Sequence, residues 1–217
     1  MDYAIAIATL KQADPLLGKV IEQVGACQLN QTQHTGDLFS SLSRSIIYQQ
    51  LSTKAANAIH GRFLQLYPNQ PVPTAMDVLK TPDEVLRSAG ISRSKALYLK
   101  DLAQKIVDGL PTLAELEKLD DESIIQTLIQ VKGIGRWSAQ MLLMFRFHRW
   151  DVLPVDDLGI RAGIRKVYGL AELPSKKAVE QLGHQWKPYC SIASWYLWRS
   201  LDLDNLKKDG EPAVISQ

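Results

Sequence analysis

Apolar residues in this chain recur at spacings of three and four almost from end to end, and strict alternation is rare. That pattern commits the chain to helices and offers no strand-forming stretch. Leu16, Val20 and Val24 make one stripe, Phe39, Leu42 and Ile46 a second, and Leu97, Leu102 and Ile106 a third. The punctuation agrees. Thr81-Pro82-Asp83-Glu84 has the form of a helix start, with a hydroxyl N-cap, proline at the first helical position and an acid three residues after the cap, and its segment stops at Gly90. Ser92, Asp120 and Ser175 are further N-cap candidates, and Gly109-Leu110-Pro111 is a stop. About ten helices with short links follow, with no sheet. Pro68 to Pro73 reads as a loop and 207–217 as a loose tail.

At 217 residues and 46% hydrophobic content, the chain can bury a core without staples. Cys27 and Cys190 are too few for a disulfide framework, and too few for a four-thiolate zinc or iron–sulfur site. The longest apolar run, Met141 to Phe145, is far short of the ~20 residues of a membrane span. The N-terminus lacks a basic stretch followed by a hydrophobic one. These features point to an intracellular protein with no membrane association. With 25 Lys and Arg against 23 Asp and Glu, the net charge of +2 does not announce a polyanionic partner. The local distribution says more: residues 132–166 hold seven Lys and Arg against three Asp, while 115–122 hold five acids against Lys118. His34, His60, His148 and His184 are scattered, without metal-ligand spacing, and no catalytic role is assigned to them.

Two segments carry chemistry. In the first, an apolar helix from Ile124 to Val131 ends at Lys132-Gly133-Ile134-Gly135, and a new helix begins at Arg136-Trp137. Two glycines flanking one aliphatic residue allow a tight helix–hairpin–helix turn, with Ile134 buried and the backbone uncovered. N–H groups at a helix start suit a phosphate, and Lys132 and Arg136 add attraction that reads no sequence. An ordinary helix–helix turn explains the same glycines. A partial echo, Gly90-Ile91-Ser92-Arg93, lies 43 residues upstream. In the second segment, Asp151-Val-Leu-Pro-Val-Asp156-Asp157-Leu-Gly-Ile-Arg161 places paired acids at a helix start, where the dipole stabilises an anion. Plain capping accounts for one of them.

Taken together, these motifs resemble the helix–hairpin–helix Gly/Pro-Asp superfamily of DNA base-excision glycosylases. Within it, the chain is most similar to the 3-methyladenine DNA glycosylase II group, in a compact form without the N-terminal β-rich domain. The matching stretches are Val131-Lys-Gly-Ile-Gly-Arg-Trp-Ser-Ala139, Leu153-Pro-Val-Asp-Asp-Leu-Gly-Ile-Arg161, and Trp186-Lys-Pro-Tyr189 followed by Trp195-Tyr-Leu-Trp198. Upstream, Ile46-Ile-Tyr-Gln-Gln-Leu-Ser52 is similar to the family's strand-penetrating segment. The likeness covers roughly residues 35 to 200.

The resemblance implies an all-α fold of two helical lobes with an active-site cleft between them. A central lobe would span 36–150, with the hairpin at about 124–147, and a second would combine 1–35 with 151–217. It implies a monofunctional glycosylase that flips alkylated purines such as 3-methyladenine and 7-methylguanine out of double-stranded DNA and leaves an abasic site. Asp157 is the expected catalytic carboxylate, stabilising an oxocarbenium-like sugar. Asp156 is its rival, and the acid not used in catalysis would cap the helix. Trp137 and Trp198 are expected to stack on the extruded base, with a cation–π term of up to ~2 kcal/mol; Trp186 and Trp195 are assigned to the core. Gln50 is the expected wedge, with Leu51 beside it. Arg93, Lys95, Lys132, Gly133, Gly135 and Arg136 are expected on DNA phosphates. The lysine that gives lyase activity in bifunctional relatives is replaced here by Trp137, so no lyase step is expected. No cofactor or iron–sulfur cluster is expected, although Val131 and Ile134 carbonyls could hold a sodium or potassium ion. The protein would act as a monomer, in the cytoplasm of a bacterium at its nucleoid or in the nucleus of a eukaryote. Two alternatives stay open: a hairpin module that binds DNA without chemistry, and a glycosylase for deaminated or mismatched bases.

Overall fold

The computed structural model describes residues 2–31 and 36–209, with side chains through Leu203. Among these residues there are thirteen α-helices, two short 3-10 turns and no strand. In chain order they are α1 (Tyr3–Ala13), α2 (Pro15–Val24), α3 (Leu38–Tyr48), α4 (Thr53–Gln65), α5 (Ala75–Lys80), α6 (Asp83–Ser88) and α7 (Arg93–Val107). There follow α8 (Leu113–Leu116), α9 (Asp121–Leu128), α10 (Arg136–Phe145), α11 (Leu158–Tyr168), α12 (Lys176–Gly183) and α13 (Cys190–Asp209). The 3-10 turns are Leu29–Gln31 and His184–Trp186. No helix among the described residues is long and apolar enough to cross a membrane. His34 and residues 210–217 of the expected tail lie outside the described residues, and α13 runs through 207–209.

The chain divides into two compact units, one of His34–Leu142 and one of Met1–Gln33 with Leu143–Gln217. The division falls inside α10 rather than at residue 150. In the His34–Leu142 unit, α7 packs against α3, α5 and α6. Its buried face is Ala96, Leu99, Leu102 and Ala103, whereas Leu97 of the expected stripe is exposed. The stripe of α3 is buried as read, with Phe39, Leu42 and Ile46 all inside. In the other unit, α13 packs on α11 and α2. The α2 face turned inward is Leu17, Val20 and Ile21, while Leu16 is exposed, so the true stripe is rotated by one residue. Trp186 and Trp195 are core residues, as assigned from sequence. Gly163 lets α11 approach α13 closely: a Cβ there would stand 2.5 Å from the Leu197 carbonyl oxygen.

Ser92, Asp120 and Ser175 cap α7, α9 and α12 with side-chain acceptors, as their positions predict. Thr81 does not cap α6. Its hydroxyl donates back to the Asp77 carbonyl at 2.8 Å, ending α5, and Pro82 occupies the cap position with no side-chain bond. The capping boxes actually present are Thr74 with Asp77 and Thr112 with Glu115. Gly90 and Gly133 both have left-handed φ, and each precedes a buried isoleucine, Ile91 or Ile134, so the sequence echo is also a backbone echo.

Candidate active site

The hairpin joins α9 to α10. Helix α9 stops at Leu128, three residues sooner than the apolar run suggests, and Val131 N–H and Ile134 N–H turn back to the Leu128 and Val131 carbonyls. Ile134 is buried at 4% exposure, as the plug of the turn. Gly133 is needed twice, for its φ of 82° and because a Cβ would lie 2.3 Å from the Tyr98 ring. Gly135 has open space where a Cβ would stand and an ordinary φ, so nothing in the fold requires glycine there. What its bareness leaves is access to the backbone. The N–H groups of Gly133 and Gly135 have no acceptor among the described residues, which is what a phosphate would use.

Several expected phosphate contacts are engaged elsewhere. Lys132 N–H donates to Asp101 Oδ2 at 2.8 Å, and the Lys132 ammonium lies 3.5 Å from the same carboxylate while staying largely exposed. Arg136 makes a two-pronged pair with Glu122 at 2.9 and 2.5 Å, clamping the start of α10 to the start of α9. That guanidinium is the main reason the Glu122 carboxyl is lowered to about 2. Arg161 and Lys166 donate to the Pro174 and Ser200 carbonyls, so part of the basic surplus of 132–166 serves the fold. Arg93 is exposed at the start of α7. Lys95 is turned inward: its Nζ donates to the Ile47 and Gln49 carbonyls, 2.7 Å each, instead of facing a backbone phosphate. Burial lowers its pKa.

Gln50 and Leu51 sit on the link between α3 and α4. Both are exposed, and Gln50 has a φ of 57°, a left-handed backbone rare for such a side chain. An open pocket of about 620 Å³ on one side is lined by Gln50, Leu51, Gly135, Trp137 and Met141 among others. A second of about 420 Å³ lies against Gln50, Leu51, Ser92, Lys95 and Tyr98. The segment is a ridge with a hollow on either side. Trp137, at 42% exposure, presents an aromatic surface to the larger hollow, so it is not a core residue.

In the other unit, Asp157 is the N-cap of α11. Its Oδ1 accepts from Ile160 N–H at 2.7 Å and from Trp198 Nε1–H at 2.9 Å. Trp198 is half-buried and stacks on Phe145, centroids 6.0 Å apart and planes within 22°. Asp156 does not cap the helix; it forms an ion pair with Lys176 and is exposed. The cap expected from Asp156 is therefore absent, because Asp157 holds the capping position itself. Sequence reading missed Gly159, where a Cβ would stand 2.8 Å from Trp198 Cδ1 and 3.0 Å from Asp157 Oδ1. A glycine in the first turn of a helix costs about 1 kcal/mol against alanine, and that cost was the available signal. Ser191 was also missed: its hydroxyl accepts from Val152 N–H at 3.0 Å and donates to the Arg149 carbonyl at 2.6 Å, fixing the loop that leads to Asp157.

A model of the family described as HhH-GPD superfamily base excision DNA repair protein matches residues 43–188, more than half of the chain. The chain belongs to the HhH-GPD superfamily. It is 37% identical over 195 residues to a protein of Schizosaccharomyces pombe named DNA-3-methyladenine glycosylase 1, covering 89% of this chain and 86% of that one. A solved structure of the Schizosaccharomyces pombe 3-methyladenine DNA glycosylase in complex with abasic DNA superposes with a TM-score of 0.83 at 37% identity, covering 89% of this chain and 95% of that one. The DNA-3-methyladenine glycosidase of Bacillus halodurans superposes with a TM-score of 0.80 at 35% identity, covering 94% and 91%. An 8-oxoguanine glycosylase/lyase of Clostridium acetobutylicum, at 18% identity, shares the fold alone. The HhH-GPD all-α architecture expected from the sequence is the one found.

Among the described residues no three His, Cys, Asp or Glu side chains are grouped to hold a metal ion. The hairpin offers carbonyls only. Val131 O accepts Ile134 N–H at 3.0 Å and keeps a second lone pair, which fits a monovalent cation.

In this superfamily setting the indole N–H of Trp198 has a use besides its aromatic face, since it steadies Asp157. Trp198→Phe keeps the stacked ring and removes the donor. Base release in single-turnover assays is expected to fall on the order of tenfold, with the unfolding midpoint lowered by several degrees, because a hydrogen bond to a charged group contributes about 1.5–3 kcal/mol. Wild-type rates in that variant would assign Trp198 to packing alone.

Proposed function

We propose that the chain is a monofunctional DNA glycosylase that removes alkylated purines, of the 3-methyladenine and 7-methylguanine type, from double-stranded DNA as a monomer. The observation that carries this reading is the Asp157 carboxylate, held by two N–H groups at a helix N-terminus beside the Phe145–Trp198 stack. Membership of the HhH-GPD superfamily and likeness over most of the chain to proteins named 3-methyladenine DNA glycosylases support it.

In the proposed reaction the N-glycosidic bond breaks with its electron pair leaving on the base, and the sugar develops cationic character at C1′. Asp157 supplies the fixed negative charge that stabilises it. Water then adds at C1′ and releases a proton to solvent, giving an abasic site and free base. A purine methylated at N3 or N7 already carries positive charge, so no strong general acid is required, and an aromatic face favours it. Trp198, and Trp137 in its own pocket, supply such faces. On the DNA side, Gly133 and Gly135 N–H groups bind backbone phosphate with Lys132 adding charge, and Gln50 with Leu51 fills the vacated stack. Arg93 is a further phosphate contact, Arg136 contributes through its clamp on the hairpin, and a sodium or potassium ion on the Val131 and Ile134 carbonyls would stiffen the turn.

A panel of duplexes, each carrying one lesion, tests the reading. Release of 3-methyladenine and 7-methylguanine, with uracil and mismatched bases left in place, is the expected result. Release of uracil without either methylated purine would overturn it, and tight duplex binding with no release from any substrate would reduce the protein to a grip.

A further inference from the structure

Helix α3 ends at Tyr48 and α4 is capped by Ser52, so three residues, Gln49, Gln50 and Leu51, make the entire link between them. The left-handed backbone of Gln50 is strained, and such strain persists only where the surroundings over-determine it. Two contacts supply that constraint. Lys95 reaches from α7 and bonds the Ile47 and Gln49 carbonyls, where the C-terminal end of α3 favours a cation and leaves carbonyls without helical partners. Gln49 Nε2 donates to the Gly133 carbonyl at 2.8 Å, crossing 84 positions of sequence to the hairpin. The link's own turn bond, Leu51 N–H to the Tyr48 carbonyl, is long at 3.4 Å and does little to hold the shape.

We propose that Lys95 and Gln49 are positioning residues for strand penetration, fixing the Gln50–Leu51 ridge at a set distance from the hairpin glycines. Unstacking a base takes work, and a segment that yields when pushed against the stack delivers less of it. With the strut in place, insertion of the ridge and grip of the backbone at Gly133 and Gly135 act as one rigid piece. The ammonium of Lys95 thus serves DNA distortion from beneath the ridge. For its chemistry this inference rests on the glycosylase reading; for its mechanics it does not.

The test uses the 217-residue chain with Lys95→Met, and with Gln49→Met as a second variant should the first fail to fold. Single-turnover release of 7-methylguanine is measured from two duplexes, the lesion paired with cytosine in one and opposite an abasic analogue in the other. In parallel, 2-aminopurine fluorescence beside a non-hydrolysable abasic analogue reports unstacking without chemistry. Paired-lesion release is expected to fall on the order of ten- to a hundredfold more than release of the unpaired lesion, with the fluorescence rise lost. Equal losses on both duplexes, or a retained fluorescence rise, would overturn the inference and return both residues to a structural role. If the unsubstituted chain releases no base yet the fluorescence rise depends on Lys95, the glycosylase reading fails and this inference stands.

Discussion

Asp157→Asn is expected to lower single-turnover release of methylated purine by about 10²–10³-fold, the loss that follows removal of one pre-placed electrostatic group. The substitution isolates charge from structure. Asparagine is as good an N-cap as aspartate, and its carbonyl oxygen can still accept from Ile160 N–H and Trp198 Nε1–H. The fold of α11 and the stack of Trp198 on Phe145 should therefore survive, and duplex binding should persist. Asp156→Asn is the matched control. Its pair with Lys176 is exposed, and such pairs contribute about 0–1 kcal/mol, so release should stay within about threefold of the unsubstituted rate. The reverse pattern, with Asp156→Asn inactive and Asp157→Asn active, would move the chemistry to the other acid.

Helix content was legible because the 3.6 period is local, but the rotation of each helix was read less well. On α2 and α7 the expected stripes included Leu16 and Leu97, which are exposed, and omitted Leu17 and Leu99, which are buried. Adjacent leucines leave the face ambiguous until a partner helix chooses. Hydroxyl N-caps were readable at Ser92 and Ser175 because each directly precedes its helix, whereas Thr81 was misread because proline fits either the cap or the first helical residue. At the candidate site, the hairpin glycines and Asp157 stood out through motif spacing. The contacts that hold them did not, because Tyr98 over Gly133, Lys95 under the ridge and Trp198 on Asp157 join residues 35 or more positions apart. Basic side chains were the least legible. A lysine or arginine beside a phosphate-binding turn reads as a DNA contact, yet Lys95 and Arg136 meet a carbonyl pair and a carboxylate of the protein itself. Composition says which charges exist and only the fold says which are already neutralised.

Asp14→Ala is expected to destabilise the unit of Met1–Gln33 and Leu143–Gln217 by about 4 kcal/mol. Asp14 is 3% exposed, and five donors converge on it. Its Oδ1 caps α2 through Leu16 and Leu17 N–H, and its Oδ2 accepts from the Tyr168 hydroxyl, Gln185 Nε2 at 3.3 Å and Trp186 Nε1 at 2.8 Å. One carboxylate thus ties together the α1–α2 junction, the end of α11 and the second 3-10 turn. Alanine removes the cap and leaves the fully buried Trp186 indole N–H without its carboxylate, with only the Tyr168 hydroxyl as an acceptor. Asp14→Asn should cost less, about 2 kcal/mol, because its carbonyl still caps α2 and the Tyr168 hydroxyl can turn to accept from the new amide. Trp186 cannot reverse its role, since an indole nitrogen only donates. Tyr168→Phe, which deletes one donor and strands no partner, should cost about 1 kcal/mol. Thermal unfolding followed through tryptophan fluorescence should rank the variants in that order, with Asp14→Ala lowering the midpoint by about 10 °C. Equal effects of Asp14→Ala and Tyr168→Phe would show that the tyrosine contact alone carries the stability, and that the convergence of donors on Asp14 adds none.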